Sequence, residues 1–249
     1  MLDVVVRVEG PLAPGADALA VTRVGPGGQA ANVAAWAAAL GAEARFVGKR
    51  GADDAGELAA RGLAARGVAV LGPAEGRNGV VVSLVGGDGE RTMASDRGVS
   101  PDLRPDELDP AWFRGCDWLH LTGYTLARPP LADAAAEAAR LTDGRISVDL
   151  SWSAEPLREQ VRALEPDLIL ANEREWDGSL TAPVLVLKRG RRGARVWTGR
   201  EEFDLPALDA AIIDTTGAGD AFTAGFLVGG AELARETAAR CVAQLGAMP

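Results

Sequence analysis

Short apolar runs and alanine-rich amphipathic stretches alternate along most of the chain. The runs are rich in Val, Ile and Leu, as buried parallel strands are, and the alanine-rich stretches have the spacing of helices. We predict helices over 30–40, 55–66, 130–141, 154–163, 220–229 and 231–245. We predict central strands over 44–47, 118–121, 146–150, 168–170, 184–187 and 195–197. The alternation predicts an α/β fold with a doubly wound, mostly parallel sheet between two layers of helices.

Two segments depart from this alternation. One is the apolar run over 4–8. The other is a pair of runs over 80–85 and 91–95, joined by the turn residues Gly86-Gly87-Asp88-Gly89. Turn residues between two such runs predict a hairpin.

Composition narrows the class of protein. A chain of 249 residues that is 47% hydrophobic can bury one sizeable core, so we expect a single domain over 1–249. No apolar run reaches the length of about 18 residues that a transmembrane helix needs, and the first residues lack the features of a signal peptide. We therefore expect a soluble, cytoplasmic protein with no membrane partner.

Charge and cysteine content exclude two further classes. A formal net charge of -9 argues against a nucleic-acid partner, which needs a basic surface. The two cysteines and the single histidine show no metal-ligand spacing, so neither a zinc site nor a disulfide framework is expected.

The segment 214–220, Asp-Thr-Thr-Gly-Ala-Gly-Asp, carries the strongest chemical signal. We expect the apolar pair at 212–213 to end a strand, the small residues at 217–219 to turn the chain, and a helix to open near Asp220. The first N–H groups of a helix lack partners within it and carry partial positive charge, so they suit an anion. A carboxylate beside that anion is unfavourable unless it accepts a proton from an attacking hydroxyl group, which makes Asp220 a candidate general base. In the alternative interpretation, Asp220 only caps the helix.

The same segment resembles the C-terminal signature of the ribokinase-like, or PfkB, carbohydrate kinases. Residues 27–34 (GGQAANVA) are similar to the N-terminal glycine signature of that family. Residues 172–175 (NERE) resemble its N-x-x-E element, and 188–193 (KRGRRG) resemble its strand-turn-strand near the nucleotide. The four elements occur in the family's order and span nearly the whole chain.

The resemblance implies an ATP-dependent kinase that transfers the γ-phosphoryl group to a hydroxyl of a sugar or sugar-like small molecule. It implies an Asp general base and an anion hole of backbone amides. The implied catalytic residues are Asp220, Gly217, Ala218 and Gly219; the implied substrate-binding residues are Asp3, Gly27, Gly28 and Asn32; the implied nucleotide-binding residues are Asn172, Glu175, Lys188, Gly190 and Gly193.

The resemblance also implies metal ions. Glu175 would bind Mg²⁺, either directly or through a water molecule. Backbone oxygens near Asp214, Thr216 and Gly246 would hold a monovalent cation such as K⁺. The alternative for Glu175 is an acidic first turn of a helix. For Glu173 we favour that simpler interpretation.

A small β-sheet lid over the sugar is a further implication, with strands from about 3–24 and 80–97. A lid shields the phosphoryl donor from water. In the family its exposed face often mediates dimerisation, so a homodimer through the lid is expected.

The sequence departs from the family at its start. Relatives usually begin with a buried central strand ahead of the aspartate that matches Asp3, whereas this sequence reaches Asp3 directly after Met1-Leu2. We expect the N-terminal central strand to be missing, with unpaired strand edges and an unfilled part of the core.

Two alternative functions stay open: a catalytically silent sugar- or nucleotide-binding relative, and a nucleoside kinase of the same family. The patterns do not select among ribose, fructose, a nucleoside and a sugar acid as the substrate.

Overall fold

The computed structural model of the chain describes residues 1–10, 15, 17–86, 91–151 and 154–249. The helices in this part of the chain are α1 (Gln29–Ala39), α2 (Asp54–Ala64), α3 (Gly123–Leu126), α4 (Leu131–Leu141), α5 (Arg158–Leu164) and α6 (Ala218–Val242). The strands are β1 (Leu2–Val8), β2 (Ala20–Pro26), β3 (Arg45–Val47), β4 (Ala69–Leu71), β5 (Val80–Val85), β6 (Arg91–Asp96), β7 (Trp118–Thr122), β8 (Arg145–Asp149), β9 (Leu168–Asn172), β10 (Val184–Lys188), β11 (Ala194–Thr198) and β12 (Glu202–Leu205).

A six-stranded sheet in the order β12-β11-β10-β9-β8-β7 forms the larger half of the fold. Strands β7 to β10 run parallel, and β11 and β12 add antiparallel pairings at one edge. Because successive side chains of a strand point to opposite faces, Ile169 packs with Val161 of α5, while Leu168 and Leu170 pack with Phe222 of α6. Helices therefore cover both faces, which confirms the α/β fold with a mostly parallel sheet.

Helix α6 corrects two predicted boundaries. It spans 25 residues and is interrupted at Gly230, where φ is 79° and ψ is -161°. The predicted break between 229 and 231 is therefore present, but the helix begins at Ala218 rather than at Asp220. The predicted strand end at 212–213 is wrong, because those residues lie in an irregular segment with their side chains exposed.

Strands β3 and β4 form a separate two-stranded parallel sheet. Helix α1 contacts both β3 and β7, so the two sheets lie under one helix. Within the described residues no backbone pairing joins β3 to β7. Arg45 links them instead, since its Nη1 donates to Trp112 O at 3.2 Å and to Arg114 O at 3.0 Å, just before β7. The prediction that 44–47 is a central strand of the main sheet is therefore wrong.

A cavity of about 1330 Å³ occupies the space between these two sheets and reaches Asp220. Phe46 lines it from the β3 side and Leu119 from the β7 side. Within the described residues, β3 and β7 each have an edge with no strand partner, which agrees with the expected unpaired edges and unfilled part of the core.

The remaining strands form a four-stranded sheet in the order β2-β1-β5-β6. Strand β1 pairs antiparallel with β2 and parallel with β5, and β5 pairs antiparallel with β6 as a hairpin. This sheet matches the predicted lid. The predicted turn at 86–89 falls largely on residues 87–90, which lie outside the described residues.

Several shorter elements differ from the predictions. The sequence pattern did not predict β4, β12 or α3. The segment predicted as a helix over 154–163 begins as a 3-10 turn at Glu155–Leu157 before α5. No helix in the described part of the chain is long and apolar enough to cross a membrane.

Candidate active site

Gly217 places the start of α6. It is the residue before the first turn, with φ of 77° and ψ of 0°, a conformation that L side chains rarely adopt. An added Cβ would lie 2.6 Å from the Cβ of Ala247. Backbone geometry and packing therefore require this glycine. This geometry agrees with the turn of the chain that the sequence predicts at 217–219.

The amides at the start of α6 differ in their partners. The Ala218 amide donates to Thr215 O at 3.3 Å, so it is partly engaged. Among the described residues the amides of Gly217 and Gly219 make no hydrogen bond to a backbone carbonyl. At a helix N-terminus such donors favour an anion. The predicted anion hole is thus best supported at Gly217 and Gly219.

Asp220 is in direct contact with Asn32, one of the predicted substrate-binding residues. Asn32, on α1, donates from Nδ2 to Asp220 Oδ2 at 2.7 Å. Asn32 is buried, and its Oδ1 has no partner within the described part of the chain. The contact brings together two residues that are 188 positions apart in the sequence.

Asp3 lies against the glycine turn that precedes α1. A Cβ on Gly27 would overlap the Asp3 carboxyl group, so only glycine allows this close approach. Burial raises the pKa of Asp3, and the N-terminal amine and the Gly28 amide partly oppose this shift. Its Oδ1 is buried and finds no partner among the described residues. A buried carboxylate oxygen of this kind is suited to accept a hydrogen bond from a hydroxyl group of a ligand.

Asn172, the last residue of β9, and Glu175 are joined by two hydrogen bonds. Glu175 accepts from the Asn172 amide at 2.8 Å and from Asn172 Nδ2 at 2.6 Å. Burial raises the pKa of Glu175, and the charge of Asp149 adds to the shift. The predicted N-x-x-E residues are therefore together, and Glu175 also lines the cavity. Glu173 instead pairs with Arg192 at 2.5 Å on the surface. Residues 173–175 form a turn and no helix lies between β9 and β10, so the alternative of an acidic first helical turn is wrong.

Lys188, at the end of β10, is buried beneath the start of α6. Its Nζ lies 2.5 Å from Asp149 Oδ2, and a Cβ added to Gly219 would be 3.5 Å from the same Nζ. Thr223 Oγ1 donates to the same carboxylate oxygen at 3.1 Å. The resemblance described above implied that Lys188 binds the nucleotide. The structure adds a buried ion pair with Asp149, which had not been identified.

Asp214 ties the loop before α6 to the end of the chain. Its Oδ1 accepts from the Thr216 amide at 2.8 Å, and its Oδ2 accepts from the Gly246 amide at 2.9 Å. The Thr216 carbonyl accepts from Cys241 Sγ at 3.4 Å. The three residues proposed around a monovalent cation are therefore neighbours.

Gly190 and Gly193 form the tight connection between β10 and β11. The Gly193 amide donates to Gly190 O at 2.9 Å, and the Arg189 amide donates to Gly193 O at 2.7 Å. This confirms a strand-turn-strand. Neither glycine lines the large cavity.

The cavity collects most of the predicted substrate and catalytic residues. Its wall includes Asp3, Gly27, Gly28, Asn32, Thr216, Gly217, Asp220 and Glu175. Sequence reasoning missed Asp149 and Thr223. Asp149 ends β8, and a carboxylate at the carboxyl end of a parallel strand is a recognisable signal, because ligands bind at that edge of such sheets.

The sequence of this chain is similar to those of known carbohydrate kinases. The family model described as pfkB family carbohydrate kinase matches residues 1–248. The ATP-dependent ribose-1-phosphate kinase of Halopiger xanaduensis is 35% identical, over 96% of this chain and 86% of that protein. A fructokinase of Klebsiella pneumoniae is 30% identical, over 82% of this chain and 76% of that protein.

Solved structures show the same fold. An adenosine kinase from Sinorhizobium meliloti superposes with a TM-score of 0.86 at 24% identity, covering 100% of this chain and 93% of that one. A ribokinase from Thermotoga maritima gives a TM-score of 0.83 at 24% identity, with coverage of 100% and 93%.

Proposed function

The chain belongs to the pfkB family of carbohydrate kinases, and we propose that its cavity transfers the γ-phosphoryl group of ATP to a hydroxyl group of a sugar or sugar-like alcohol. Residues 1–249 would act as one ribokinase-like domain with β1, β2, β5 and β6 as the lid. The observation that carries the proposal is the 2.7 Å contact between Asn32 and Asp220, because it joins the substrate side to the start of α6.

Asp220 is the general base of the proposed reaction. The hydroxyl oxygen of the substrate attacks the γ-phosphorus, the bond from phosphorus to the bridging oxygen of ADP breaks, and the hydroxyl proton moves to the carboxylate. The amides of Gly217 and Gly219 stabilise the charge on the transferred group, since they lie at a helix N-terminus and make no hydrogen bond to a backbone carbonyl of the described residues. The Asn32 contact holds the Asp220 carboxylate in place.

The sugar would lie between Asp3 and Asn32. Both carry a buried oxygen with no partner among the described residues, and such acceptors fit the hydroxyl groups of a polyol. Gly27 and Gly28 allow the substrate to approach the backbone. Relatives act on substrates as different as ribose 1-phosphate, fructose and aminoimidazole riboside, according to their names, so the substrate class is a furanose-type sugar or its derivative.

Metal ions fit two places in the site. Burial and the charge of Asp149 raise the pKa of Glu175, so a cation beside that carboxyl group would relieve an unfavourable negative charge. Mg²⁺ held there, directly or through water, would neutralise phosphate charge. A K⁺ ion would be held by backbone oxygens near Asp214, Thr216 and Gly246, where two loop segments already meet.

The decisive experiment measures ADP release against a panel of ribose, fructose, ribose 1-phosphate, aminoimidazole riboside, adenosine and a sugar acid, with Mg²⁺ and with or without K⁺. We expect release that requires one of these acceptors. Asp220→Asn should lower kcat by about 10²- to 10⁴-fold and leave nucleotide binding intact. Near-normal turnover in that variant would remove Asp220 from the role of base.

A catalytically silent binding protein is the competing function. It predicts binding of a sugar or nucleotide with no acceptor-dependent ADP release from the wild-type chain. The carboxylate of Asp220 at an anion-binding helix terminus favours the kinase, because a carboxylate beside a bound phosphate is unfavourable unless it accepts a proton.

We also propose a homodimer through the lid. Leu19, Val21, Val24 and Met93 of this region are all about half exposed or more. The pairing register places Val21 and Met93 on one face of the lid and Val24 on the other. Exposed apolar side chains favour association. Light scattering on wild type and Val21→Glu tests this, and a wild-type monomer at assay concentration would reject it.

A further inference from the structure

One face of the four-stranded lid sheet lines the large cavity. Because successive side chains of a strand alternate between two faces, residues at every second position share a face. The lid residues on the cavity wall follow this spacing: Asp3 of β1, Val81 and Ser83 of β5, Met93 and Ser95 of β6, and Arg97, which directly follows β6. Arg97 therefore belongs to the same face as Asp3, the predicted substrate-binding carboxylate.

The pairing register places Arg97 within reach of a ligand at Asp3. Asp3 lies opposite Val81, and Val81 lies opposite Ser95. Arg97 is two residues beyond Ser95. With about 4.8 Å between strands and about 3.4 Å per residue along a strand, the Cα atoms of Asp3 and Arg97 are about 12 Å apart. Both side chains line the cavity, so one small ligand can contact both.

Tyr124 holds the Arg97 guanidinium group on the side of the cavity opposite the lid. The guanidinium carbon of Arg97 lies 4.6 Å from the centre of the Tyr124 ring, which is a cation–π contact. Tyr124 is on α3, which directly follows β7, so the contact joins the lid to the carboxyl edge of the six-stranded sheet. Arg128 follows Tyr124 by four residues and lines the same cavity. Two guanidinium groups thus reach the cavity next to one short helix.

The charges of Arg97 and Arg128 are not neutralised by the described part of the chain. The neighbouring Asp96 is engaged by Arg77, with 2.6 Å between Nη1 and Oδ2. Within the described residues neither Arg97 nor Arg128 forms an ion pair. By contrast, Lys49, also on the cavity wall, lies 2.7 Å and 2.8 Å from two carboxylate oxygens. Two uncompensated cations in one cavity of a chain with net charge -9 favour an anionic ligand there.

We propose that Arg97 and Arg128 bind a phosphate group on the acceptor, so that the substrate is a sugar phosphate. The inference rests on the proposed kinase function and narrows its acceptor from a furanose-type sugar to the phosphate ester of one. A phosphate monoester carries about 1.5 to 2 negative charges at pH 7, which matches two guanidinium groups, whereas a carboxylate carries one. Each guanidinium group can donate two parallel hydrogen bonds to phosphate oxygens. Asp3 and Asn32 then bind the sugar hydroxyls, and Tyr124 orients Arg97.

Binding without turnover tests the proposal. Isothermal titration calorimetry on the wild-type chain compares ribose with ribose 1-phosphate and ribose 5-phosphate, and fructose with fructose 6-phosphate. We expect at least one phosphate ester to bind about 10-fold or more tightly than its parent sugar, because charge-assisted hydrogen bonds are added. D-Ribonate supplies a carboxylate in place of phosphate and should bind less tightly than that ester. The proposal is rejected if no ester binds more tightly than its parent sugar, or if ribonate binds as tightly as the best ester.

Substitutions at the two arginines should remove this preference. In Arg97→Gln the affinity for the best ester should fall by about 10- to 100-fold, while the affinity for the parent sugar stays within about twofold. Arg97→Lys keeps the charge but loses the planar fork, so its loss should be smaller. Arg128→Gln should show a loss of the same kind. Tyr124→Leu removes the ring under Arg97 and should weaken ester binding by about 2- to 5-fold.

Arg145→Gln is the matched control. Arg145 lines the same cavity and the substitution removes the same charge, but this residue begins β8, whereas Asp149 ends the strand at the catalytic edge. Its guanidinium carbon lies 3.9 Å from the centre of the Trp118 ring. Ester affinity should therefore stay unchanged. An equal loss in Arg145→Gln and Arg97→Gln would attribute the preference to the overall charge of the cavity and remove the phosphate site.

ATP also carries phosphate groups, so the nucleotide is the competing ligand of Arg97. The affinity for the non-hydrolysable analogue AMP-PNP should be the same in wild type and Arg97→Gln. A loss as large as that for the sugar phosphate would assign Arg97 to the nucleotide and overturn the proposal. Thermal unfolding shows whether each variant is folded, and the comparison of esters with parent sugars decides on the wild-type chain alone if one is not.

The kinase function and the phosphate site fail in different ways. Lack of acceptor-dependent ADP release from the wild-type chain rejects the kinase function, while the binding measurements still report on Arg97. Acceptor-dependent ADP release with uncharged sugars, together with no preference for any ester, keeps the kinase function and rejects the phosphate site.

Discussion

The two halves of the α/β core contain similar strands in different surroundings. In the six-stranded half, β9 has a partner on each edge and a helix layer on each face, and Leu168, Ile169 and Leu170 are all fully buried. In the other half, β3 pairs with no strand but β4 among the described residues, and its three residues are all half-buried. Burial therefore depends on neighbours on both edges, and apolar character alone does not ensure it.

The active site bridges these unequal halves. Asp220 and its loop are mounted on α6, which packs on the six-stranded sheet, whereas Asn32 is on α1, beside the β3–β4 sheet. The halves meet where α1 contacts α6. In the proposed reaction, the β3–β4 half must therefore hold its position against the six-stranded half.

The largest difference is expected in the cost of truncating equivalent core residues. Leu170→Ala in β9 should lower the free energy of unfolding by about 2–5 kcal/mol, since it opens a cavity in a fully packed layer. Leu71→Ala in β4, where the leucine is half-buried, should cost about 1 kcal/mol. Chemical denaturation of both variants measures this. Equal costs would mean that the β3–β4 half is as tightly packed as the main sheet.

The pKa of His120 reports whether water reaches the cavity between the two halves. The histidine lies on β7, lines the cavity and contacts Ser147 Oγ through Nδ1 at 2.9 Å. Burial lowers its pKa from 6.5 to about 4, so the folded state favours the neutral form. The stability it contributes is present above pH 6.5 and is lost as the pH falls towards about 4, by up to about 3 kcal/mol.

This histidine is the only one in the sequence, so NMR can titrate it without assignment. His120→Gln keeps a polar partner for Ser147 and should flatten the stability profile between these pH values. A measured pKa near 6.5 would show that the cavity admits water to the ring.

Sequence patterns predicted most elements of the six-stranded half because continuous apolar runs and short turns are local features. They also identified the glycine turn before α1 and the loop before α6. They predicted a strand at the position of β3 but assigned it to the wrong sheet, since the partners of a strand depend on contacts between segments that are distant in the sequence. They also missed the ion pair between Asp149 and Lys188. This pair forms because the fold brings the ends of β8 and β10 close together, which no local pattern shows.

Asn32 carries the contact that joins the two halves at the chemical centre. Asn32→Ala removes the 2.7 Å hydrogen bond to Asp220 and should lower kcat/KM by about 10²-fold, as for other oriented donors at a reacting group. Asn32→Asp is the contrasting variant, since a second carboxylate there should be worse than alanine. Activity of Asn32→Ala within threefold of wild type would show that α6 alone orients the base.

The smallest effect is expected at the structural junction behind the site. Trp36 of α1 is buried, and its Nε1 donates at 2.8 Å to the carbonyl oxygen of Ala247, the residue that packs on Gly217. Trp36→Phe keeps most of the packing and should lower the free energy of unfolding by about 1 kcal/mol. Trp176→Phe is the matched control within the six-stranded half, because Trp176 Nε1 makes only a local bond of 3.4 Å to Leu180 O. If the two substitutions cost the same, the link from α1 to the chain end is not what holds the halves together; a larger loss for Trp36, together with weaker kcat/KM, would show that it is.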